Sequence, residues 1–268
     1  LEVGGDLPIV NSLDALPEAN VLLIGIAPTG GGLPAPMRVL VLAAIARGMD
    51  VESGLHDFLN DDAEFVAAAK TSGANLRDLR ANDERDVAQR KIISDDCLRI
   101  HTVGHDCSLG KMVVSIELAR GLSAAGVDAK FIATGQTGML VEGDGCPVDA
   151  VVTDFISGAV EKQILAHQHH EVLVIEGQGS ITHPCYSAVT LGLLHGCLPH
   201  GLIYCYEMGR KKVKGVDHIA LPPMESQRDL YLAMANAAHP CQFIGVAINS
   251  RKVDEAAYQK EKTRIETK

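Results

Sequence analysis

The 268-residue chain has no apolar run that approaches the ~20 residues needed to cross a bilayer, and nothing at its start resembles a signal peptide. It also has no basic tract, and its net charge is −10. Because nucleic acids and acidic membranes attract clustered cations, the sequence argues against both as partners. No C-x-x-C pair occurs among the seven cysteines, which are scattered singly. Such scattered cysteines are typical of reduced thiols, so we expect a cytoplasmic protein.

Short apolar runs alternate with segments of helical spacing along the whole chain. This alternation predicts an α/β fold with parallel sheets covered by helices. Residues 75–95 are charged and show little periodicity, so we place a boundary there, between domains of residues 1–95 and 96–268. The predicted strands are Val21–Ile26, Asp50–Ser53, Leu98–Val103, Ala129–Thr134, Ala150–Asp154, Val172–Glu176, Leu202–Tyr206, His218–Leu221 and Phe243–Ile248.

The most informative segment joins the strand ending at Val103 to an amphipathic helix. A strand, a glycine-rich turn and a helix with Lys111 in its first turn are the layout of a phosphate-binding loop. The spacing is one residue longer than the usual motif, and Met112 replaces the hydroxyl that normally holds Mg²⁺ on a nucleoside triphosphate. This replacement weakens the case for nucleotide hydrolysis. The predicted phosphate site consists of Gly104, His105, Asp106, Cys107, Ser108, Leu109, Gly110, Lys111 and Met112.

Several further segments extend the likeness beyond one motif. In chain order the matching segments are Leu23–Pro28, Ser53–Phe58, Gly104–Met112, Ala133–Gly138, Val148–Phe155 and Val174–Pro184. Together they resemble a bacterial and archaeal two-domain P-loop family long described as of unknown function. Its members are now regarded as D-amino-acid N-acetyltransferases, D-glutamate N-acetyltransferase being the type. The second half also resembles dethiobiotin synthetase, whose loop has the same long spacing and whose strand ends in a Glu-Gly pair.

The resemblance implies a Rossmann-like N-terminal domain, a P-loop NTPase-like C-terminal domain with a parallel sheet, and a homodimer or higher homo-oligomer. It also implies acetyl-CoA as the acetyl donor. Two departures stand out: His105 replaces the family's usual Thr, and Val113-Val114 replace the hydroxyls that follow Met112. The chain begins with Leu1 rather than Met, and we expect an N-terminally clipped first domain and a shortened C-terminus.

Three carboxylates are candidate site residues, two of them for catalysis. Glu176 ends an apolar strand, where a raised pKa would suit a general base; the alternative is a structural pair with Lys111. Asp106, within the loop, would accept a proton or orient an amine, or else cap the following helix. Asp154 would share the strand-end crevice or cap the next helix. We expect no metal; if one is present, Asp154 and Glu176 would hold it.

Five further residues are candidates with equally open alternatives. His183 is a third catalytic candidate, although a lone histidine in a turn is often structural. Gln136 and Gln178 offer amides to substrate groups, and Gln178 or backbone N–H groups would stabilise an oxyanion; an ordinary turn is the alternative for Gln136. Arg38 and Arg210 would clamp a dicarboxylate such as D-glutamate, or form surface salt bridges.

From the resemblance we expect an N-acetyltransferase that moves an acetyl group from acetyl-CoA to the amine of a D-amino acid, its small-molecule substrate. Coenzyme A carries a pyrophosphate and a ribose phosphate, and binding them requires neither hydrolysis nor metal. Met112 therefore fits coenzyme A better than ATP. The alternatives are an ATP- and Mg²⁺-dependent ligase of the dethiobiotin synthetase type and a catalytically silent nucleotide-binding protein.

Overall fold

The computed structural model describes residues 6–26, 28, 30–90, 93–94 and 96–267. Internal packing divides the chain into two compact units, Leu1–Ala81 and Asn82–Lys268. Both units alternate strands with helices, and both sheets are parallel. The predicted α/β class is confirmed.

The first unit contains a three-stranded sheet in the order β1-β2-β3. Its strands are β1 (Val21–Ile24), β2 (Asp50–Ser53) and β3 (Leu76–Asp78), and its helices are α1 (Ala35–Ala46) and α2 (Ala63–Ser72). The α2 helix begins after Asp62, whose carboxylate accepts the N–H groups of Glu64 and Phe65. The core between sheet and helices includes Ile24, Val41, Ile45, Val51 and Phe65.

The second unit contains a five-stranded sheet in the order β5-β6-β4-β7-β8. Its strands are β4 (Leu98–Gly104), β5 (Ala129–Ile132), β6 (Val172–Ile175), β7 (Gly201–Glu207) and β8 (Gln242–Asn249). Its helices are α3 (Lys111–Ala124), α4 (Gln136–Glu142), α5 (Ile156–His167), α6 (Ser187–Cys197), α7 (Met224–Asn236) and α8 (Glu255–Glu266). Among the helices of the described residues, none has the length and apolar character to span a membrane.

The strand order sets the position of the site. Because all five strands run parallel, their carboxyl ends meet at one edge of the sheet, where ligands bind in open α/β sheets. Strand β4 lies between β6 and β7. The residues at these three strand ends, His105, Glu176 and Glu207, therefore lie beside one another at that edge.

Two predicted strands are wrong. Ala150–Asp154 covers parts of two 3-10 turns, Val148–Ala150 and Thr153–Phe155. Between these turns, Val151 is buried and Val152 is 54% exposed, and neither valine belongs to a strand of the two sheets. His218–Leu221 forms only an isolated bridge between Lys212 and Ala220.

Two observed elements, β3 and α4, were not predicted. Strand β3 has three residues, of which only Leu76 is apolar, so the charged segment gave little signal. Helix α4 lies between Gly135 and a left-handed Gly143. In the sequence alone, the glycines at its start favour a turn.

The charged segment after Ala81 packs within the second unit. The Gln89 N–H donates to Glu161 Oε2 at 2.7 Å, and Lys162 Nζ lies 3.0 Å from Glu84 Oε1. The boundary predicted between residues 95 and 96 remains a prediction, because Asp95 lies outside the described residues, as does Ile92.

Two glycines inside helices form a matched pair for testing this packing. A Cβ at Gly158 in α5 would lie 1.9 Å from the carbonyl oxygen of Asp86, whereas a Cβ at Gly121 in α3 would meet nothing within 4 Å. We expect Gly158→Ala to lower the free energy of unfolding by about 1–3 kcal/mol through overpacking. Gly121→Ala should raise it by about 0.5–1 kcal/mol, because alanine restricts the unfolded chain. Urea unfolding measures both, and equal effects of the two substitutions would contradict the packing described.

Candidate phosphate-binding and catalytic site

The loop between β4 and α3 has a backbone shape that depends on close contacts and positive φ angles. A Cβ at Gly104 would lie 2.6 Å from the carbonyl oxygen of Cys205 and 2.7 Å from Leu109 Cδ1. Ser108 and Gly110 adopt left-handed φ angles of 52° and 104°. A turn with such angles directs successive N–H groups into one concavity. The local sequence thus produces the phosphate-binding geometry that the motif predicts.

The N–H groups of this concavity are available to an anion. Within the described part of the chain, no acceptor takes the backbone N–H groups of residues 108–112. Lys111 Nζ crosses the loop and donates to the carbonyl oxygens of Asp106 at 2.9 Å and Gly179 at 2.8 Å. Burial lowers the pKa of Lys111. An anion that replaced these carbonyl contacts would gain a full positive charge beside the N–H groups.

Met112 places no hydroxyl at the loop. Its side chain packs against the core formed by Ile116, Phe131 and Val174. The Ser115 hydroxyl, one turn later, is buried and bonds Thr102 Oγ1 at 2.9 Å and the Lys111 carbonyl at 3.0 Å. The first turn of α3 therefore offers backbone N–H groups and Lys111, without the hydroxyl that nucleotide-bound Mg²⁺ normally uses.

Asp106 braces the loop. Its fully buried carboxylate accepts the N–H groups of Cys107 (2.8 Å) and Lys214 (2.9 Å) and Arg210 Nη1 (2.9 Å). Burial alone would raise the pKa of Asp106, but these hydrogen bonds and the Arg210 charge outweigh it and lower the pKa. Helix α3 has no side-chain cap, so the predicted capping alternative is wrong. An ionised, fully bonded carboxylate suits bracing better than proton transfer.

Arg210 is fully engaged inside the site. Its guanidinium has five N–H donors, and each meets an acceptor. Nε donates to Glu207 Oε2 at 2.7 Å, Nη1 to Asp106 Oδ2 and the Cys107 carbonyl, and Nη2 to Glu207 and the Ser108 carbonyl. The salt-bridge alternative describes its contacts, although the pairs are buried. The predicted role in substrate binding would require Arg210 to give up these bonds.

Glu176 follows β6 and has a different environment from Asp106. Its Oε2 accepts the N–H groups of Thr134 at 2.9 Å and Gly135 at 3.2 Å. Burial nonetheless raises its pKa to about 7, because the carboxylate is largely removed from water. Lys111 Nζ donates to two carbonyls rather than to this carboxylate, so the structural pair with Lys111 is not formed. A pKa near neutrality suits a general base.

The segment after Glu176 is held against the loop. Gly177 has no room for a side chain, since a Cβ would lie 1.7 Å from the Thr102 carbonyl and 3.2 Å from Lys111 Cδ. The Gln178 amide nitrogen donates to the carbonyl and the hydroxyl of Thr134. Both of its donors are therefore used, whereas the backbone N–H groups of Gln178 and Gly179 meet no acceptor in the described residues. Backbone N–H groups are thus the better oxyanion donors here.

His183 and His105 make mainly backbone contacts. His183 is 2% exposed; its Nδ1 accepts the Cys185 N–H at 3.1 Å, so Nε2 carries the proton and donates to the Lys214 carbonyl at 3.2 Å. His105 Nε2 accepts the Glu207 N–H, and burial lowers the pKa of His105 to about 4. Both rings are hydrogen bonded. The catalytic role of His183 remains a prediction.

The residues considered for metal binding do not fit an ion. Asp154 is exposed in a 3-10 turn, so it does not stand at a strand end beside Glu176; instead Asp149 is near enough to help raise the Glu176 pKa. Asp106, Cys107 and His183 are the described group whose ligand atoms lie within 4.8 Å of one another. The preceding contacts already occupy Asp106 and His183, and burial raises the pKa of the Cys107 thiol.

The remaining candidates lie in two places. Arg38, in the first unit, binds Asp62 (2.6 Å) and Glu64 (2.5 Å) and stacks over the Phe65 ring. Arg38 therefore forms salt bridges, which was the alternative to substrate binding. Gln136 begins helix α4, next to the peptide groups that bind Glu176. The substrate roles of Arg38 and Gln136 remain predictions.

Sequence reasoning missed Glu207 and Asn249. Glu207 ends β7, and its fully buried carboxylate meets Arg210, Arg251 Nε at 3.1 Å and Lys252 Nζ at 2.8 Å. A carboxylate at a strand end was the signal that identified Glu176, and it applied equally to Glu207. Asn249 gave no such signal; its Nδ2 donates to the Leu109 carbonyl at 3.0 Å.

Two known families match consecutive parts of the chain. Residues 2–82 match the family described as "Domain of unknown function (DUF1611_N) Rossmann-like domain". Residues 86–268 match "Domain of unknown function (DUF1611_C) P-loop domain". The predicted Rossmann-like and P-loop fold is confirmed.

Three similar proteins cover most of the chain. A protein of Tritonibacter scottomollicae named D-glutamate N-acetyltransferase is 36% identical over 251 residues, 91% of this chain and 74% of its own length. A second protein of that name, from a Pseudoalteromonas species, is 36% identical over 236 residues, 88% and 71% of the two lengths. The crystal structure of a DUF1611 family protein from Anabaena variabilis ATCC 29413 has a TM-score of 0.88 at 36% identity, covering 94% of this chain and 75% of its own.

The contribution of Arg210 to stability can be measured by substitution. Arg210→Met should lower the free energy of unfolding by about 3 kcal/mol, because it leaves the buried carboxylates of Asp106 and Glu207 without their shared partner. Arg251→Met removes a cation from the same glutamate, but that side chain is 60% exposed, so we expect a loss below about 1 kcal/mol. Urea unfolding at neutral pH makes the comparison. A small effect of Arg210→Met would show that the brace is not needed.

The Glu176 pKa gives a pH dependence of stability with a definite sign. The folded pKa of about 7 lies above the ordinary value of 4.5, so the native state binds this proton more tightly than the unfolded state. The resulting stabilisation is complete below about pH 4.5 and is lost as the pH rises through about 7. Relative to Glu176→Gln, the wild type should therefore become less stable between these pH values. Urea midpoints that differ by a constant amount across this range would contradict the assignment.

Proposed function

Because the chain belongs to the DUF1611 family and contains both of its domains, we propose that it transfers an acetyl group from acetyl-CoA to the amino group of a D-amino acid such as D-glutamate. The class of reaction and the substrate are supported by the names of two relatives at 36% identity. The acetyl donor is supported by the geometry of the P-loop.

The N–H groups of residues 108–112 carry the proposal. Together with Lys111 they form a cationic concavity, which has enough hydrogen-bond donors to bind a diphosphate. Coenzyme A has a diphosphate that must be held but not hydrolysed. The absence of a hydroxyl after Lys111 therefore suits this ligand better than a nucleoside triphosphate with Mg²⁺. Binding the diphosphate would fix the donor at the carboxyl ends of β4 and β6.

Glu176 is the general base in this proposal. An amino acid carries an ammonium group at neutral pH, and its nitrogen becomes a nucleophile only after losing a proton. A carboxylate with a pKa of about 7 is matched to that task. Asp106, whose pKa is lowered by its donors, stays ionised and keeps the loop in shape. The two carboxylates therefore have separate roles set by their environments.

The transfer itself balances without a further reactant. The freed amine nitrogen attacks the thioester carbonyl carbon, so the C–N bond forms and negative charge develops on the carbonyl oxygen. The backbone N–H groups of Gln178 and Gly179 are available to that oxygen. The C–S bond then breaks and the thiolate leaves with the electron pair. The thiolate takes up the second proton that the nitrogen loses, and Glu176 releases the first to solvent, so the products are the acetylated amine and free coenzyme A thiol.

Thiol release from acetyl-CoA tests the proposal. The protein should release coenzyme A thiol with D-glutamate, and mass spectrometry should find the N-acetyl product. Lys111→Ala should raise KM for acetyl-CoA at least tenfold, since it removes a charge-assisted contact to phosphate. L-glutamate and other D-amino acids define the substrate range, and Mg²⁺-ATP turnover tests the ligase alternative. Nucleotide hydrolysis without acetyl transfer would contradict the proposal.

The pH profile of the same reaction tests the base. Glu176 accepts a proton only when ionised, so kcat/KM should rise with pH through about 7. Glu176→Gln should lower kcat by about 10²–10⁴-fold and abolish this rise. Asp154→Asn, which changes an exposed carboxylate, serves as the control and should keep the profile. An unchanged profile in Glu176→Gln would assign the proton transfer to another group.

A further inference from the structure

Buried Glu207 forms ion pairs with three cationic side chains next to the phosphate-binding loop. Strand β7 pairs with β4, so its last residue lies beside the start of the loop. The Glu207 carboxylate, 0% exposed, binds Arg210 through Oε2 and Arg251 and Lys252 through Oε1. Arg210 continues this chain of contacts to Asp106 and to the Ser108 carbonyl. The turn after β8 is therefore linked to the loop by buried charge.

The charge of this group is opposite to that of the chain. Asp106 and Glu207 contribute two negative charges, and Arg210, Arg251 and Lys252 contribute three positive charges, so the group is positive by one. The whole chain has a net charge of −10. A local excess of positive charge beside the loop favours a ligand that carries a further negative group in addition to the one that the loop binds.

Arg251 and Lys252 also have donors to spare. Among the described contacts, Arg251 uses only Nε on Glu207, leaving both Nη atoms without an acceptor. Lys252 Nζ has three donors and one contact, at 2.8 Å. Their side chains are 60% and 56% exposed. Arg210, by contrast, uses all five donors internally. Arg251 and Lys252, in the turn after β8, thus present two cationic groups to solvent.

Asn249 fixes this turn relative to the loop. Its Nδ2 donates to the Leu109 carbonyl at 3.0 Å, and its Oδ1 accepts the Arg251 N–H at 3.3 Å. A single side chain therefore connects the middle of the phosphate-binding loop to Arg251. This connection keeps Arg251 and Lys252 beside the loop and leaves their charged groups exposed.

We propose that Arg251 and Lys252 bind a second phosphate of the acyl donor, the 3′-phosphate monoester of the coenzyme A ribose. This inference rests on the proposed function. The diphosphate and the 3′-phosphate are carried by one ribose, so a ligand whose diphosphate occupies the N–H groups of residues 108–112 extends its other phosphate a single sugar ring away. The guanidinium and the ammonium offer the bidentate and point-charge contacts that a phosphate monoester takes. The pair therefore selects coenzyme A over donors without that phosphate.

Calorimetry with coenzyme A and 3′-dephospho-coenzyme A tests this assignment, because the two ligands differ only at the phosphate in question. The wild type should bind coenzyme A about tenfold more tightly, the value of one charge-assisted contact. Arg251→Gln with Lys252→Gln should weaken coenzyme A about tenfold and leave the dephospho ligand unchanged. The same pattern should appear in KM of the two acetylated donors, with kcat unaltered.

Lys211→Gln with Lys212→Gln is the matched control, since it removes two exposed cations that also follow β7. It should preserve the discrimination between the two ligands. Equal affinities in the wild type, or discrimination that survives Arg251→Gln with Lys252→Gln, would overturn the inference while leaving the acetyltransferase proposal intact. Failure of the wild type to bind either ligand would instead contradict the proposed function itself, and this inference with it.

Discussion

The buried ion pairs of Arg210 are the constraint on which the site depends. Asp106 lies inside the turn and Glu207 at the end of the neighbouring strand, and neither could remain ionised there without a partner. Because Arg210 spends all five donors on these carboxylates and on loop carbonyls, the carbonyl groups of the turn point inward. No acceptor among the described residues takes the N–H groups of residues 108–112. The buried ion pairs of Arg210 therefore support the anion site that we propose.

The same strand edge holds two carboxylates with opposite properties. Asp106 receives two backbone N–H groups and a guanidinium, which keep its pKa low despite burial. Burial raises the pKa of Glu176 to about 7, because its two N–H donors and the nearby charge of Lys111 do not offset the loss of water. Among the described residues, Glu176 forms no ion pair comparable to that between Asp106 and Arg210. This difference in environment separates a residue that maintains shape from a residue that can exchange a proton at neutral pH.

Local patterns predicted the parts of this site that lie within one segment. The strand, turn and helix around Lys111 are consecutive in sequence, and the position of Glu176 after an apolar run identified a strand end. Partnerships across the sheet were not predictable in this way. Nothing near Arg210 in the sequence indicates that it would bind Asp106, and an apolar pair at Val151 looked like a strand although it packs under helices. Asp154 was misplaced for that reason.

We propose that a turn held by buried charge presents its N–H groups to the diphosphate of an acyl donor. The most direct measurement is a crystal structure of the complex with coenzyme A. We expect diphosphate oxygens within hydrogen-bond distance of the N–H groups of residues 108–112. We also expect Lys111 Nζ to move from the carbonyls of Asp106 and Gly179 to a phosphate oxygen. A diphosphate bound elsewhere, with Lys111 still on those two carbonyls, would contradict this proposal.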